Sequence, residues 1–259
     1  MTTIHVLVDN RDGEHLQGEH GLSLLIESDI KILFDTGASD LFKRNAAIMG
    51  LTLSDVSFLV LSHGHWDHGN GMKHLQSLNV IAHPACFTKR YNKKDGKYCG
   101  LDSDQAVIEQ VHALTLTDDP LWLTPQTVFL GQIPRRASFE SKASSFLDEK
   151  RQIDIIPDDS AIAIRTEQGT TIVTGCSHSG IGNIAAHALN VTGSDKIHTI
   201  IGGFHLGNHD EKTDLTIRML QQLGVDTVYP MHCTAPDAVE ALGRKFRIHQ
   251  PKTGDILQI

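Results

Sequence analysis

Nothing in this sequence approaches the ~20 consecutive apolar residues that a membrane-spanning helix needs, and its first residues lack the basic segment of an export signal. No membrane role is expected, and the setting expected is cytoplasmic. Cysteine is scarce: Cys86, Cys99, Cys176 and Cys233 stand far apart with no Cys-x-x-Cys pair, which argues against a disulfide framework and a zinc ribbon. Positive charge is not in excess either. A formal net charge of −8 opposes binding to nucleic acid, which needs a net basic face, so small-molecule chemistry is the better expectation. No Pro/Gly/Ser-rich linker and no repeated unit divides the chain. It reads as a single domain, 1–259, with insertions near 88–119 and 131–159.

What the sequence does have is histidine, sixteen in all, several of them packed into short loops. Histidine is the commonest metal ligand, so composition alone points toward a metal. The loops follow apolar strands. Residues 4–8, 23–26 and 31–34 predict an N-terminal meander, and the spacing of Leu41, Phe42, Ala46, Ile48 and Met49 predicts a helix ahead of Gly50. The nearly continuous apolar run 56–61 predicts a strand covered on both faces. Later, a hairpin over 161–174 and strands near 198–201 and 225–229 each end in a loop carrying His or Cys. Helices are expected over 69–78, 182–189, 210–223 and 235–242, and residues 88–119 show no strong period. Alternating strands and helices of this kind give an α/β fold.

The sharpest signal is Ser62-His63-Gly64-His65-Trp66-Asp67-His68-Gly69, three imidazoles and one carboxylate within six residues after a buried strand. Residues two apart in extended or turning backbone face the same side, so His63 and His65 can chelate one ion. Asp67 and His68, beyond the bend, can reach a second. Gly64 allows close approach of the backbone. Imidazole and carboxylate suit Zn2+, the expected ion, and accommodate Mn, Fe, Co or Ni as well.

His63-x-His65-x-Asp67-His68 after a buried strand resembles the hallmark of the metallo-β-lactamase superfamily. Ile32-Leu33-Phe34-Asp35-Thr36-Gly37 resembles that superfamily's N-terminal hairpin, whose Asp supports the metal loop from behind. An aspartic-protease reading of Asp-Thr-Gly needs a second copy, which the chain lacks. More narrowly, Leu7-Val8-Asp9-Asn10, Glu19-His20-Gly21-Leu22-Ser23, Ile133-Pro134-Arg135, Gly175-Cys176-Ser177-His178, Gly202-Gly203-Phe204-His205-Leu206 and Pro230-Met231-His232-Cys233 resemble the dihydropterin-ribofuranosylaminobenzene phosphate synthase-like branch. The likeness runs over nearly the whole chain.

The resemblance implies an αββα sandwich, the metallo-β-lactamase fold, with one or two metal ions. It implies His232 as the last ligand, completing a second site with Asp67 and His68, and His178 as the third ligand of the first ion. Relatives often place a bridging Asp where this chain has Cys176, so either Cys176 ligates as thiolate or only His178 does. His205 after Gly202-Gly203 is read as general acid or oxyanion contact, and His20 shares that ambiguity. The basic run 89–97 and Arg135 suggest an anion-gripping lid in which Arg90 and Arg135 hold the substrate and Tyr91 and Phe139 stack on a heterocycle.

The activity expected is that of a metal-dependent hydrolase: metal-bound hydroxide attacks a small anionic or phosphorylated molecule, Asp67 orients the water and His205 protonates the leaving group. One alternative is a transferase condensing a dihydropterin pyrophosphate with a ribofuranosylaminobenzene phosphate-like acceptor. Another, of a different class, is a non-catalytic metal-binding or sensor protein. β-Lactamase activity does not follow from the fold.

Overall fold

The computed structural model describes residues 2–140 and 144–259, and these fall into two compact units. The first comprises 2–118, Ser144–Asp158 and Lys252–Ile259; the second comprises 119–140 and Asp159–Pro251. Residues 141–143, part of the insertion expected near 131–159, lie outside the described residues.

The first unit is built on a seven-stranded sheet in the order Ile256–Gln258, Thr3–Val8, Ser23–Glu27, Lys31–Phe34, Phe58–Val60, Asn79–Ala82, Ala113–Leu116. Neighbours as far as Lys31–Phe34 are antiparallel, and the remainder run parallel. The sheet joins the two ends of the chain: Thr3 pairs with Gln258, and Thr2 and Ile259 exchange backbone hydrogen bonds of 3.0 and 2.9 Å. Leu7, Leu25, Leu33, Phe42, Leu59 and Val80 make its core, each fully buried. Burying a side chain of this size contributes ~1.5–3 kcal/mol, so this face sets the register of the meander.

The meander and the helix Leu41–Ile48 form as the apolar spacing predicts. One expectation needs correction. The helix expected over 69–78 is only a 3-10 turn, Asn70–His74. The stretch 88–119 is ordered, with strand Tyr91–Asn92, helix Gln105–Val111 and edge strand Ala113–Leu116. Its apolar signal is weak because Ile108 is the one buried residue of that helix, and Val107 and Val111 face solvent.

The second unit carries its own seven-stranded sheet, in the order Arg247–Ile248, Thr227–Met231, Ile197–Gly203, Gly169–Thr174, Ala161–Thr166, Thr127–Phe129, Leu121–Trp122. Helices Ile181–Thr192, Glu211–Gln222 and Pro236–Gly243 accompany it, close to their expected positions. Asp210 caps the second of these by accepting from Thr213 N at 3.0 Å, and Pro236 begins the third where its missing N–H costs nothing. Glu140 takes the capping role for the first, accepting from Gly182 N and Asn183 N at 2.9 and 2.8 Å. Strands Gly169–Thr174, Ile197–Gly203 and Thr227–Met231 are parallel neighbours, with Thr174 opposite Gly202 and Gly202 opposite Pro230. Their carboxyl ends therefore open side by side, the usual place for a site in a parallel sheet. Among the described residues no helix is long and apolar enough to cross a membrane.

Candidate metal centre

In the first unit the strand Phe58–Val60 ends in the histidine loop, and Asp35 fixes that loop from below. Asp35 is fully buried and sits at φ 55°, a conformation uncommon for a residue with a side chain. Its Oδ1 accepts from Ser62 N at 2.8 Å and its Oδ2 from Ser62 Oγ at 2.7 Å. His68 Nδ1 lies 2.7 Å from Oδ2, and His63 Nδ1 lies 2.9 Å from Ser62 Oγ. The protons follow from these contacts. The Ser62 hydroxyl donates its hydrogen bond to Asp35, so its oxygen accepts from His63 Nδ1–H, while His68 Nδ1–H donates directly to the carboxylate. Both imidazoles then carry their lone pairs on Nε2, the arrangement in which a histidine ligates a metal through one nitrogen and is held through the other.

His63 Nε2 stands 3.0 Å from His65 Nδ1. Two nitrogens in one tetrahedral coordination sphere, each ~2.0–2.1 Å from the ion, are ~3.3 Å apart, so this pair has the spacing of two ligands. The His63 and His68 rings are 4.3 Å apart, and Asp67 Oδ2 is 3.9 Å from His68 Nε2. His20 reaches Asp67 at 3.2 Å and lies over Trp66, which ties it to the loop. His65 packs on Phe146. The four motif residues are thus gathered, and all four are buried.

Gly64 is required where it stands, because a Cβ there would meet Cys86 O at 1.6 Å. Its N–H donates to Asp158 Oδ2 at 2.7 Å. Arg90 holds Asp158 in turn. This corrects the lid reading: Arg90 is wholly buried, pairs through Nε with Asp154 at 2.8 Å and through Nη2 with Asp158, and donates to Ala85 O at 3.0 Å. It supports the histidine loop from within the unit and offers nothing to a substrate in solution. Burial pushes the Asp158 carboxyl up to about 6, against the opposing pull of Arg90 and the Gly64 N–H. Tyr91 is also engaged locally, beneath the Arg151 guanidinium and against Tyr98.

In the second unit the three parallel strand ends deliver Cys176 to His178, His205, and His232 with Cys233. The His178 and His205 rings are 4.4 Å apart. Arg135 donates to His178 O at 2.9 Å, and buried Asp159 accepts from Ser179 N at 2.8 Å and from Ser179 Oγ, so this loop too is held from behind. Ser177 Oγ donates to Gly203 O at 2.6 Å, tying one strand end to the next. Ligand atoms of Cys176, His232 and Cys233 all lie within 4.8 Å of one another. Desolvation, the largest single influence, lowers the His205 pKa, but the hydrogen bond with Cys233 and the charges of Cys233 and Asp159 together leave it raised. The Cys233 thiol is held well below its ordinary value by the Cys176 side chain, against burial, and then by His205.

Cys233, Asp158 and Asp159 escaped the sequence reading. Cys233 carried a usable signal, a second donor beside His232 at a strand end. The two aspartates carried none, since adjacent acids in a polar stretch read as solvated surface.

The profile of the Metallo-beta-lactamase superfamily matches residues 17–232, a span that includes parts of both units. The chain is 30% identical over 251 residues to the 7,8-dihydropterin-6-methyl-4-(beta-D-ribofuranosyl)-aminobenzene-5'-phosphate synthase of Methanocaldococcus jannaschii, covering 88% of this chain and 85% of that protein. The solved structure of Tm1679, described as a metal-dependent hydrolase of the beta-lactamase superfamily, superposes with a TM-score of 0.90 at 29% identity, over 100% of this chain and 99% of that one. Zn(2+)-bound PqqB from Methylobacterium extorquens shares the fold, with a TM-score of 0.56 at 10% identity over 99% and 100% of the two chains.

Proposed function

Because this chain belongs to the metallo-β-lactamase superfamily and has its fold, we propose that it is a metal-dependent hydrolase acting on a small anionic or phosphorylated molecule, with Zn2+ as resident ion. The observation that carries this reading is the double use of Asp35, which aims the Nε2 lone pairs of His63 and His68 while His63 and His65 stand at ligand spacing. The proposed ligands are His63, His65, Asp67 and His68 in the first unit; in the second unit they are His178 and His232. A bound ion of this kind supplies Lewis acidity and acidifies water toward a pKa of ~7.

The side chains do the rest. Asp67 orients the attacking water and takes its proton, and the contact with His20 holds that carboxylate in place. His205, whose raised pKa keeps more of it protonated near neutrality, hands a proton to the leaving group. Arg135, next to His178, meets the negative charge of the substrate. A cytoplasmic setting belongs to the same proposal, supported by cysteines that stand far apart in sequence with no Cys-x-x-Cys pair.

The test is a panel of phosphomonoesters, phosphodiesters, lactones and thioesters, assayed with Zn2+, Mn2+, Fe2+, Co2+ or Ni2+ after chelation. Turnover that needs an ion and disappears in His63→Ala supports the reading; full turnover in a variant that has lost its ion refutes it. Activity against none of these, with ion retained, favours a binding or sensor protein. A second enzymatic reading, a transferase joining a dihydropterin pyrophosphate to a ribofuranosylaminobenzene phosphate-like acceptor, is favoured by the 30% identity to the Methanocaldococcus jannaschii synthase. Pyrophosphate release that requires an added arylamine acceptor would select it over hydrolysis.

A further inference from the structure

Three observations converge on the strand ends of the second unit. The first is the chemistry of the donors: Sγ of Cys176, Sγ of Cys233 and a ring nitrogen of His232 fall within 4.8 Å of one another. Two sulfurs sharing a tetrahedral ion at ~2.3 Å are ~3.8 Å apart, so small side-chain rotations would bring the three donors onto one ion. The second is space made for the sulfur. A Cβ on Gly203 would lie 2.6 Å from Cys233 Sγ and 2.6 Å from Gly175 O, so no larger residue fits there without moving the thiol or the strand end. The third is backbone strain. Of the seven described non-glycine residues with positive φ, three belong to this cluster or its rim: Ser177 at 62°, His205 at 48° and His232 at 48°. Strain of this kind persists where surrounding structure over-determines it, which is characteristic of functional sites.

We propose that Cys176, His232 and Cys233 form a thiolate-bearing metal site within the second unit, selective for Zn2+ and other thiophilic divalent ions. The inference rests on the reading of the chain as a metalloprotein and deepens it, by moving His232 out of the imidazole and carboxylate ligand set into one that contains two sulfurs. Loading the site forms two metal–sulfur bonds and one metal–nitrogen bond, and any proton still carried by either sulfur passes to solvent as its bond to the ion forms. The two thiolates neutralise a divalent ion, supplying the charge that a bridging carboxylate would otherwise contribute. His205, hydrogen-bonded to Cys233, then stands beside the ligand sulfur as a donor that fixes its orientation. Sulfur ligation also disfavours Mg2+ and Ca2+, which take oxygen.

The experiment is optical titration of the chelated full-length protein with Co2+, read in the near-ultraviolet region where sulfur-to-cobalt charge transfer absorbs, with bound cobalt quantified in parallel. Wild type should develop the band, Cys233→Ser should lose about half of its intensity, and Cys176→Ser/Cys233→Ser should lose it all. Cobalt that binds with ligand-field bands alone, or a band unchanged in Cys233→Ser, would overturn this inference and leave the broader metal reading standing. No bound cobalt in wild type would overturn both. A second measurement avoids mutation: the rate of alkylation of Cys233 by iodoacetamide, followed by peptide mass spectrometry, should fall at least tenfold when Zn2+ is present. Equal rates with and without bound Zn2+ would also overturn it.

Discussion

Arg90→Met should destabilise the first unit in a manner that depends steeply on pH. The side chain is wholly buried and satisfies Asp154 and Asp158 together, with a further bond to Ala85 O. Removing one partner of a buried ion pair leaves an uncompensated charge, at a cost of ~3–5 kcal/mol, whereas losing a neutral buried hydrogen bond costs ~1–2 kcal/mol. Which regime applies depends on Asp158. Burial, opposed by Arg90 and the Gly64 N–H, raises its folded pKa to about 6, above the ~3.9 of an unfolded chain. A raised folded pKa means that its contribution to stability is fully present below ~4 and is lost as pH rises through about 6. Without Arg90 the folded pKa climbs further, so ionisation becomes harder to accommodate. The variant should therefore lose ~3–5 kcal/mol at pH 8 and only ~1–2 kcal/mol at pH 5. With a urea m-value of ~3 kcal/mol/M, the pH 8 loss moves the midpoint down by ~1–1.7 M. Trp66 lies in the first unit and Trp122 in the second, so fluorescence in a Trp122→Phe background follows the relevant unit alone. A loss below ~1 kcal/mol at pH 8, or equal losses at both pH values, would refute the ion-pair account.

Asp35→Asn keeps the shape of the side chain but loses the carboxylate that accepts from both Ser62 and His68; metal affinity should fall by ~10–100-fold with little change in far-ultraviolet dichroism, and unchanged affinity by competition with a chromogenic chelator would contradict the proton chain. Gly64→Ala places a methyl 1.6 Å from Cys86 O, a backbone atom that cannot step aside, so the variant should unfold at a lower temperature and bind metal poorly; a melting curve like that of wild type would show that the loop has slack. Glu140→Ala uncaps the helix Ile181–Thr192 at two N–H groups and should cost ~1–2 kcal/mol in chemical denaturation, whereas a neutral result would mean that water caps it equally well.

The histidine loop was legible because a metal site needs several donors in few residues and the chain supplies four of them between 63 and 68. The sulfur cluster was less so. Cys176 and Cys233 are 57 residues apart, and only the parallel pairing of three strands sets their ends side by side. Arg90 failed for a related reason. Its neighbours in sequence are lysines and polar residues, the pattern of a solvated loop, while the aspartates that draw it inside come 64 and 68 positions later. In the fold, strands with a fully buried face announced themselves. Ala113–Leu116 and Ile256–Gln258, edge strands with at least half of their residues exposed, carry too little apolar patterning to be read from sequence.

The pairing of Thr3–Val8 with Ile256–Gln258 also sets when during translation this sheet can close. The strand is synthesised before the second unit, carrying fully buried Ile4, Val6, Leu7 and Val8, yet one of its two partners is synthesised only after that whole unit. Until then it is an apolar edge with open hydrogen-bonding groups, the kind of surface on which nascent chains stick to one another. Deletion of residues 252–259 would make that transient state permanent, so a variant that keeps every candidate ligand should be recovered as aggregate rather than as a folded protein lacking activity.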